Sequence, residues 1–303
     1  MPQYPNYPIP HLLGKVNYPA GTKLRPDGDT IHLFDPVLLL NGKAIQPANG
    51  QFKVWVTGAP TPKTIHLSGK PGSYHVPIRF EGIDAPEEHY RANPFSLTVN
   101  GQPLNFIANL TVKHEERSQP MWKPATDHAV DTLQKAGWAL VMLDREVTDR
   151  YKRVLGYVYS SNANGVRKKF LSLELLKLGL AYPFLFESAG SLIPTFLQAA
   201  SQAKQSNLGV WKHYHHKPLS FAQTYSPPKH YTDPEPPSQQ NGKLNLPVVF
   251  RRTVDTHQLQ GLSLQLALQK YDAMDYTTGK LVSGDKYHTI PVEKLIWAPH
   301  SFS

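Results

Sequence analysis

The sequence predicts an α+β fold, because strand-like runs come first and helical periodicity follows later. The strand-like runs are rich in aromatic and β-branched residues and lie between turn signals; they cover residues 30–34, 76–80, 138–143 and 154–159. Apolar residues recur at helical spacing in 126–136, 170–180 and 191–206. The order of strands, one helix, more strands and two helices does not alternate as a βαβ sheet would, so one small sheet or barrel with added helices is expected.

A proline-rich segment divides the chain. The 303 residues include 28 prolines, well above the usual share of about 5%. Residues 218–246 combine several of these prolines with a polar run and offer little apolar surface on which to fold. We therefore predict a first domain at 1–217, a linker at 218–246 and a small β-rich module at 247–303.

The charge lies mainly in the first domain. The chain carries a formal charge of +9, yet from residue 218 onward it has 8 Lys and Arg against 7 Asp and Glu. A basic excess of this kind favours a polyanionic partner through counterion release. DNA or RNA is the partner that this charge suggests.

Two segments of the first domain do not fit the simple plan of strands and helices. Residues 35–75 contain Asn-Gly and Pro-Gly turns with strand-like runs at 52–56 and 64–67, and residues 88–124 contain a further run at 95–99. Both segments are interpreted as β-rich insertions. In the C-terminal module, leucines alternate with other residues at 262–268, which is typical of a half-buried strand.

Several classes of protein are excluded by composition. The absence of cysteine rules out disulfides, thiolate zinc sites and cysteine nucleophiles. The sequence contains no run of about 18 apolar residues, so no membrane span is predicted. Its first residues lack the basic and apolar parts of a signal peptide. The chain as written is expected to be cytoplasmic, or secreted if a leader has been removed, and its oligomeric state stays open.

Three charged clusters each have a structural and a functional interpretation. The run from Asp27 to Thr30 is a common turn into a strand. The run from Asp84 to Glu87 fits a helix start in which Asp84 is the N-cap and Glu87 completes a capping box. The run at 149–153 is compatible with a solvated charged hairpin.

Taken together, the clusters supply what phosphodiester hydrolysis requires. Asp29 and Asp84 offer hard oxygen ligands for Ca²⁺ or Mg²⁺. Glu87, three residues beyond one ligand, can take a proton from a water molecule. Arg79 and Arg153 can fork onto phosphate oxygens and oppose the charge that grows in the transition state.

These motifs, in this order, resemble the staphylococcal nuclease-type thermonuclease family over roughly residues 12–211. The resemblance is carried by the runs Asp-Gly-Asp-Thr at 27–30, Arg79, Asp-Ala-Pro-Glu at 84–87, Asp-Arg-Tyr-Lys-Arg at 149–153 and Leu-Gly-Val-Trp at 208–211. It implies an OB-fold, a five-stranded β-barrel with three helices. It also implies a Ca²⁺-dependent endonuclease that acts on DNA and RNA and leaves 3′-phosphate ends.

The resemblance also assigns roles by position. Asp29 and Asp84 match the calcium ligands, and Ala85 stands where the family contributes a main-chain carbonyl to the metal. The catalytic residues implied are Arg79, Glu87 and Arg153. Arg150 and Tyr151 match substrate-binding positions, and Asp27 is expected to lie behind the metal ligands.

A non-catalytic alternative remains open, since OB barrels commonly bind single strands through basic grooves and aromatic residues. Such a binder gains nothing from Asp29, Asp84 and Glu87 beside a phosphate path, because without a metal they repel the ligand. The complete acidic set, kept together with both arginines, favours the enzyme over a non-catalytic OB-fold nucleic-acid-binding protein.

Overall fold

The structure is a computed structural model. It describes residues 5–18, 24, 26–86, 90–91, 98–99, 102–103, 116–117, 121–144, 146–149, 151–184, 192–214, 271–275, 280–282 and 295–299. The strands are β1 (His11–Lys15), β2 (Thr30–Leu40), β3 (Lys43–Ile45), β4 (Gln51–Val54), β5 (Lys63–His66), β6 (His75–Phe80), β7 (Gly82–Asp84), β8 (Tyr90–Arg91), β9 (Thr98–Val99), β10 (Gln102–Pro103), β11 (Glu116–Arg117), β12 (Trp138–Met142), β13 (Val154–Ser161), β14 (Arg167–Phe170), β15 (Tyr182–Phe184), β16 (Tyr271–Asp275), β17 (Lys280–Val282) and β18 (Leu295–Pro299). The helices are α1 (Trp122–Ala136), α2 (Leu171–Lys177), α3 (Ile193–Gln205) and α4 (Val210–Tyr214).

Five strands close into a barrel. The hydrogen-bonded order is β1, β12, β13, β6 and β2, and β2 pairs with β1 to complete the ring. The pair β13–β6 is parallel and the other pairs of the ring are antiparallel. This closed barrel with helices is the OB-fold α+β architecture expected from the sequence.

The barrel strand β2 is longer than the strand predicted at residues 30–34. Its first half pairs with β6 and its second half pairs with β1 through Val37, Leu38 and Leu39. Asp35, between the two halves, has φ 46°, so the strand changes direction there. The strand therefore continues to Leu40, which lies in the range predicted for the first insertion. The ring closes because β2 pairs with both β6 and β1.

The first insertion forms a hairpin of β4 and β5. Phe52 and Ile65 lie opposite each other on its buried face, with exposures of 2% and 0%. The Thr57 N–H donates to the Asp144 carbonyl oxygen over 3.2 Å, so the insertion contacts the loop after β12. Of the second insertion, the structure describes the two short pairs β8–β11 and β9–β10 and, at its end, the first residues of α1.

The three predicted helices are present with shifted ends. The first begins at Trp122 rather than at residue 126. It ends at Ala136 and is capped by Gly137, whose φ of 76° suits a glycine at a helix terminus. A short fourth helix, α4, follows α3. The helices cover the barrel through buried alanines and large side chains, among them Ala129, Leu133 and Phe196.

In the range predicted as a C-terminal module, the described residues form a sheet with the order β17, β16, β18. Strands β16, β17 and β18 lie within the β-rich module predicted at 247–303. The strand predicted at 262–268 and the linker at 218–246 lie outside the described residues. Within the ranges that the structure describes, no helix is long and apolar enough to cross a membrane.

His11, at the start of β1, is a buried histidine held in its neutral form. Its Nδ1 lies 2.6 Å from the Ile9 carbonyl oxygen and its Nε2 lies 2.5 Å from Nη2 of Arg167. A ring protonated at Nδ1 satisfies both contacts. Burial lowers the pKa of His11 to about 4, the Ile9 hydrogen bond opposes this shift and the Arg167 charge adds to it.

Acidification is expected to destabilise the protein through His11. Because its pKa is lower in the folded than in the unfolded state, its contribution to the unfolding free energy is complete above pH 6.5 and is lost as the pH falls towards 4. The loss is up to about 3 kcal/mol. Urea unfolding of wild type and His11→Gln across this pH range measures it, and the variant should show a shallower decline. A decline of equal size in both proteins, or the same change in the exposed control His66→Gln, would contradict the assignment.

Candidate active site

Asp29 lies in the turn that leads into β2, at one end of the barrel. Its side chain is buried, and its Oδ2 accepts a hydrogen bond of 2.8 Å from the Ala85 N–H. Gly28 permits this turn, since a Cβ there would lie 2.7 Å from Cβ of Ala85 and 2.9 Å from Cβ of Ala125. The glycine thus allows the turn to pack against α1 while Asp29 points at the segment that carries Asp84.

Asp84 ends β7 and does not begin a helix in the described residues. The helix-cap interpretation of this residue is therefore wrong. Gly82, with φ 84°, starts β7, and a Cβ there would lie 2.2 Å from a ring carbon of Phe196. Strand β7 pairs with β15, which places Asp84 opposite Tyr182. Only glycine fits the turn at residue 82, and this turn places Asp84 in a buried strand pair.

Arg79 joins the two aspartates. Its Nη1 forms an ion pair with Oδ1 of Asp29, and its Nη2 donates to Oδ1 of Asp84 over 2.6 Å. The same Nη2 lies 3.4 Å from the Ile83 carbonyl oxygen. The side chains of Arg79, Asp29 and Asp84 are 8%, 2% and 2% exposed. Two carboxylates that are distant in sequence thus converge on one cationic group.

Arg153 lies beside this cluster at the start of β13. Its Nε and Nη2 each lie 2.7 Å from Oδ2 of Asp149, a forked contact with one carboxylate. Its Nη1 lies 3.3 Å from Oγ1 of Thr30, and Thr30 Oγ1 donates to Oδ1 of Asp29 over 3.1 Å. The contacts therefore connect Arg153 through Thr30 and Asp29 to Arg79 and Asp84.

Asp149 and Thr30 are functional candidates that sequence reasoning missed. Oδ1 of Asp149 accepts the backbone N–H groups of Tyr151 and Arg153 at 2.8 and 2.9 Å, so this side chain closes the hairpin turn and holds Arg153. The available signal was an aspartate that begins a charged hairpin, a position at which its side chain commonly bonds to the backbone two residues on. Thr30 gives no comparable signal, because its role depends on the distant Arg153.

Aromatic residues near the cluster differ in exposure. Tyr151 is 62% exposed, and the Arg153 guanidinium lies 5.4 Å from its ring centre. Tyr182 and Phe184 are buried, so Phe184 packs in the core. Burial raises the pKa of Tyr182 well above 10, and the Asp84 charge raises it further, so its hydroxyl stays protonated beside the site. Tyr151 alone of these three rings is placed to meet a ligand.

The structure brings together Asp29, Arg79, Asp84, Ala85 and Arg153. Asp27 lies in the same turn as Asp29, and its Oδ1 accepts the Gly28 N–H over 2.7 Å, so its observed role is to shape the turn. Glu87 and Arg150 lie outside the described residues, and their roles stay predictions.

Asp29 and Asp84 supply the oxygen donors that a hard cation would use, and in this structure Oδ1 of each is paired with Arg79. Asp29 and Asp84 present carboxylate oxygens, which Ca²⁺ and Mg²⁺ prefer, around a position at which a positive group already lies. Across the described ranges, no group of three or more His, Cys, Asp or Glu side chains is arranged to hold a metal. A calcium site here would therefore depend on the Ala85 carbonyl, water and substrate oxygens for its further ligands.

Part of the chain matches a known protein family. Residues 77–213 match the model of the family described as staphylococcal nuclease homologue. This range includes Arg79, Asp84 and Arg153, while Asp29 precedes it and is brought to the site by the barrel.

Two curated relatives each share 28% identity with this chain. An uncharacterized protein of Methanocaldococcus jannaschii aligns over 137 residues, 44% of this chain and 60% of the relative. A protein named probable endonuclease LCL3, from Colletotrichum graminicola, aligns over 224 residues, 73% of this chain and 62% of the relative. The chain thus spans about three fifths of the length of these relatives. Residues 77–213 thus match the staphylococcal nuclease homologue family, and the closed barrel also takes β1 and β2 from before this range.

Proposed function

We propose that this protein is a Ca²⁺-dependent endonuclease that hydrolyses the phosphodiester bonds of DNA, RNA or both and leaves 3′-phosphate ends. One observation carries the proposal: a continuous set of contacts links two nearly inaccessible aspartates with Arg79 and, through Thr30, with Arg153. Burying charged groups costs free energy that a purely structural turn does not require. The family match and the relative named as a probable endonuclease support nuclease activity in general.

The arginines are proposed to bind the scissile phosphate. Arg153 is part exposed, with 30% of its side chain accessible, so its guanidinium can meet a substrate from the surface. Arg79 is more deeply placed and is paired with both aspartates. Both guanidinium groups would oppose the negative charge that grows on the phosphate oxygens in the transition state. Arg150 and the exposed Tyr151 are proposed to contact the neighbouring nucleotide.

Asp29, Asp84 and the Ala85 carbonyl are proposed to hold the calcium ion. When bound, the ion would neutralise phosphate charge and polarise a phosphoryl oxygen. Ala85 also has a role that the contacts define, because its N–H orients the Asp29 carboxylate. Glu87, three residues from Asp84 in the chain, is proposed as the general base that takes a proton from the attacking water.

Cleavage is expected to require added Ca²⁺, because two carboxylates alone leave a hard cation short of ligands and weakly held. The measurement is incubation of plasmid DNA and of a single-stranded RNA with the full chain, in calcium and in excess chelator, followed by end-group analysis. Loss of cleavage in chelator and its recovery on adding calcium are expected. Undiminished cleavage in chelator would overturn the calcium assignment, and binding without cleavage in calcium would favour the non-catalytic alternative.

Substitution Glu87→Gln is expected to lower kcat by about 10²-fold or more with little change in KM, because general-base catalysis acts on the chemical step. Steady-state cleavage of a fluorogenic oligonucleotide measures both constants. The neighbouring substitution Glu88→Gln is a matched control that removes the same charge one residue away. Equal turnover in wild type and Glu87→Gln would leave no catalytic role for this residue.

A further inference from the structure

A second basic feature lies away from the site, between α1 and the strands β13 and β14. It is a cleft of about 430 Å³ lined by His128, Asp131, Thr132, Lys135, Ala136, Ser160, Lys168 and Lys169. The five lining residues of α1 recur at the spacing of one helix face. Three of the lining residues are lysines and one is an aspartate, so the cleft carries a net positive charge.

The position of Ser160 separates this cleft from the candidate active site. Arg153 directly precedes β13, and Ser160 lies seven residues later, near the other end of the strand. At about 3.3 Å per residue, this separation is roughly 20 Å. None of the residues in the contact set around Arg79 lines the cleft.

Two features of the cleft bear on the kind of ligand that it could bind. The Nε2 atom of His128 is buried, and no group in the described part of the chain hydrogen-bonds to it. Burial lowers the pKa of His128 and Lys169 lowers it further, while Glu174 and Asp131 oppose the shift and Lys135 adds to it. Lys169 and Lys135 therefore act on the same ring from β14 and from α1. With three lysines against one aspartate in its lining, the cleft keeps an excess of positive charge that a bound anion would offset.

We propose that the cleft formed by α1, β13 and β14 is an accessory site for phosphate groups of a nucleic-acid strand, distinct from the catalytic cluster. This inference rests on the proposed function for the identity of the substrate. Sites on OB folds extend over about 4–16 nucleotides, a length that covers the separation between the two sites. The cleft binds phosphates beyond the scissile one, and substrate affinity therefore depends on strand length.

The test compares two triple variants of the full chain. Lys135→Ala, Lys168→Ala and Lys169→Ala together remove the cleft lysines. The matched control replaces the exposed Lys43, Lys63 and Lys70 by alanine and changes the net charge equally. Binding of fluorescein-labelled single strands of about 4 and about 12 nucleotides is measured in chelator over a range of salt concentrations. Circular dichroism verifies that each variant is folded.

The wild type should bind the longer strand more tightly, and the cleft variant should lose at least about tenfold in affinity for it. Its salt slope should fall by about 2, as expected when three phosphate contacts are removed from a single strand. The control variant should keep the wild-type affinity and slope. Unchanged binding in the cleft variant, or equal losses in both variants, would overturn the proposal.

A second arm separates a nucleic-acid site from a site for a small phosphate compound. Thermal stabilisation by inorganic pyrophosphate is measured for the wild type and the cleft variant. Stabilisation of the wild type alone, with oligonucleotide binding unchanged in the cleft variant, would assign the cleft to a free phosphate compound and overturn the proposal. Failure of the proposed nuclease activity would appear separately, as wild-type protein that binds long strands through the cleft but cleaves none.

Discussion

The substitution Asp84→Asn is expected to abolish calcium-dependent cleavage while the protein remains folded. Asparagine keeps the shape of the side chain but removes the negative charge that a hard cation requires. Arg79 keeps its ion pair with Asp29, so the buried guanidinium is not left without a carboxylate. Activity should fall by several orders of magnitude, because removing a ligand affects both metal affinity and the chemical step.

Activity and stability should therefore separate in this variant. Cleavage is measured over a wide range of calcium concentrations, and urea unfolding is measured in chelator. The exposed residue Asp127, whose side chain is 55% accessible and pairs with Lys123, provides the control Asp127→Asn. An Asp84→Asn protein that unfolds in chelator would show that the carboxylate is structural. Wild-type cleavage by a folded variant would exclude it as a metal ligand.

The substitution Arg153→Lys is expected to lower kcat by about 10²-fold or more, although the positive charge is kept. Lysine cannot reproduce the fork that holds Asp149 through Nε and Nη2 while Nη1 contacts Thr30. A single ammonium group would lose the orientation of the guanidinium towards the phosphate. The neighbouring exposed Lys152 has φ 63°, a conformation that asparagine tolerates, so Lys152→Asn is a suitable charge control.

Asp149→Ala tests whether Arg153 depends on its partner. Asp149 is a positioning residue, so its loss should lower kcat by less than the loss of Arg153, and the two effects should not add in the double variant. Single-turnover cleavage at saturating substrate measures the chemical step in all four proteins. Additive effects would show that Asp149 and Arg153 act independently. For Arg153→Lys itself, steady-state cleavage gives kcat and KM separately. A change in KM alone would assign this arginine to substrate binding.

The sequence predicted the central elements of the fold because their patterns are local. The runs at 76–80 and 154–159 have the composition of strands, and the structure confirms them as β6 and β13. The insertion hairpin was visible in the same way, since its strands alternate apolar and polar residues between turn signals. The ends of elements were less certain. Leu39, in the range predicted for the first insertion, belongs to the barrel only because the second half of β2 pairs with β1.

The sequence by itself determined which chemical groups are available: the acidic and arginine motifs, the absence of cysteine and the excess of basic residues before residue 218. Only the tertiary structure decided how they combine. A barrel strand, a tight turn and a short strand pair bring Arg79, Asp29 and Asp84 together, and a hairpin places Arg153 against Thr30. Asp84 illustrates why tertiary structure was needed, because it ends β7 and pairs with Arg79 instead of capping a helix. A capping box and a metal ligand use the same residue types at the same spacing, and they differ only in long-range contacts that no local pattern records.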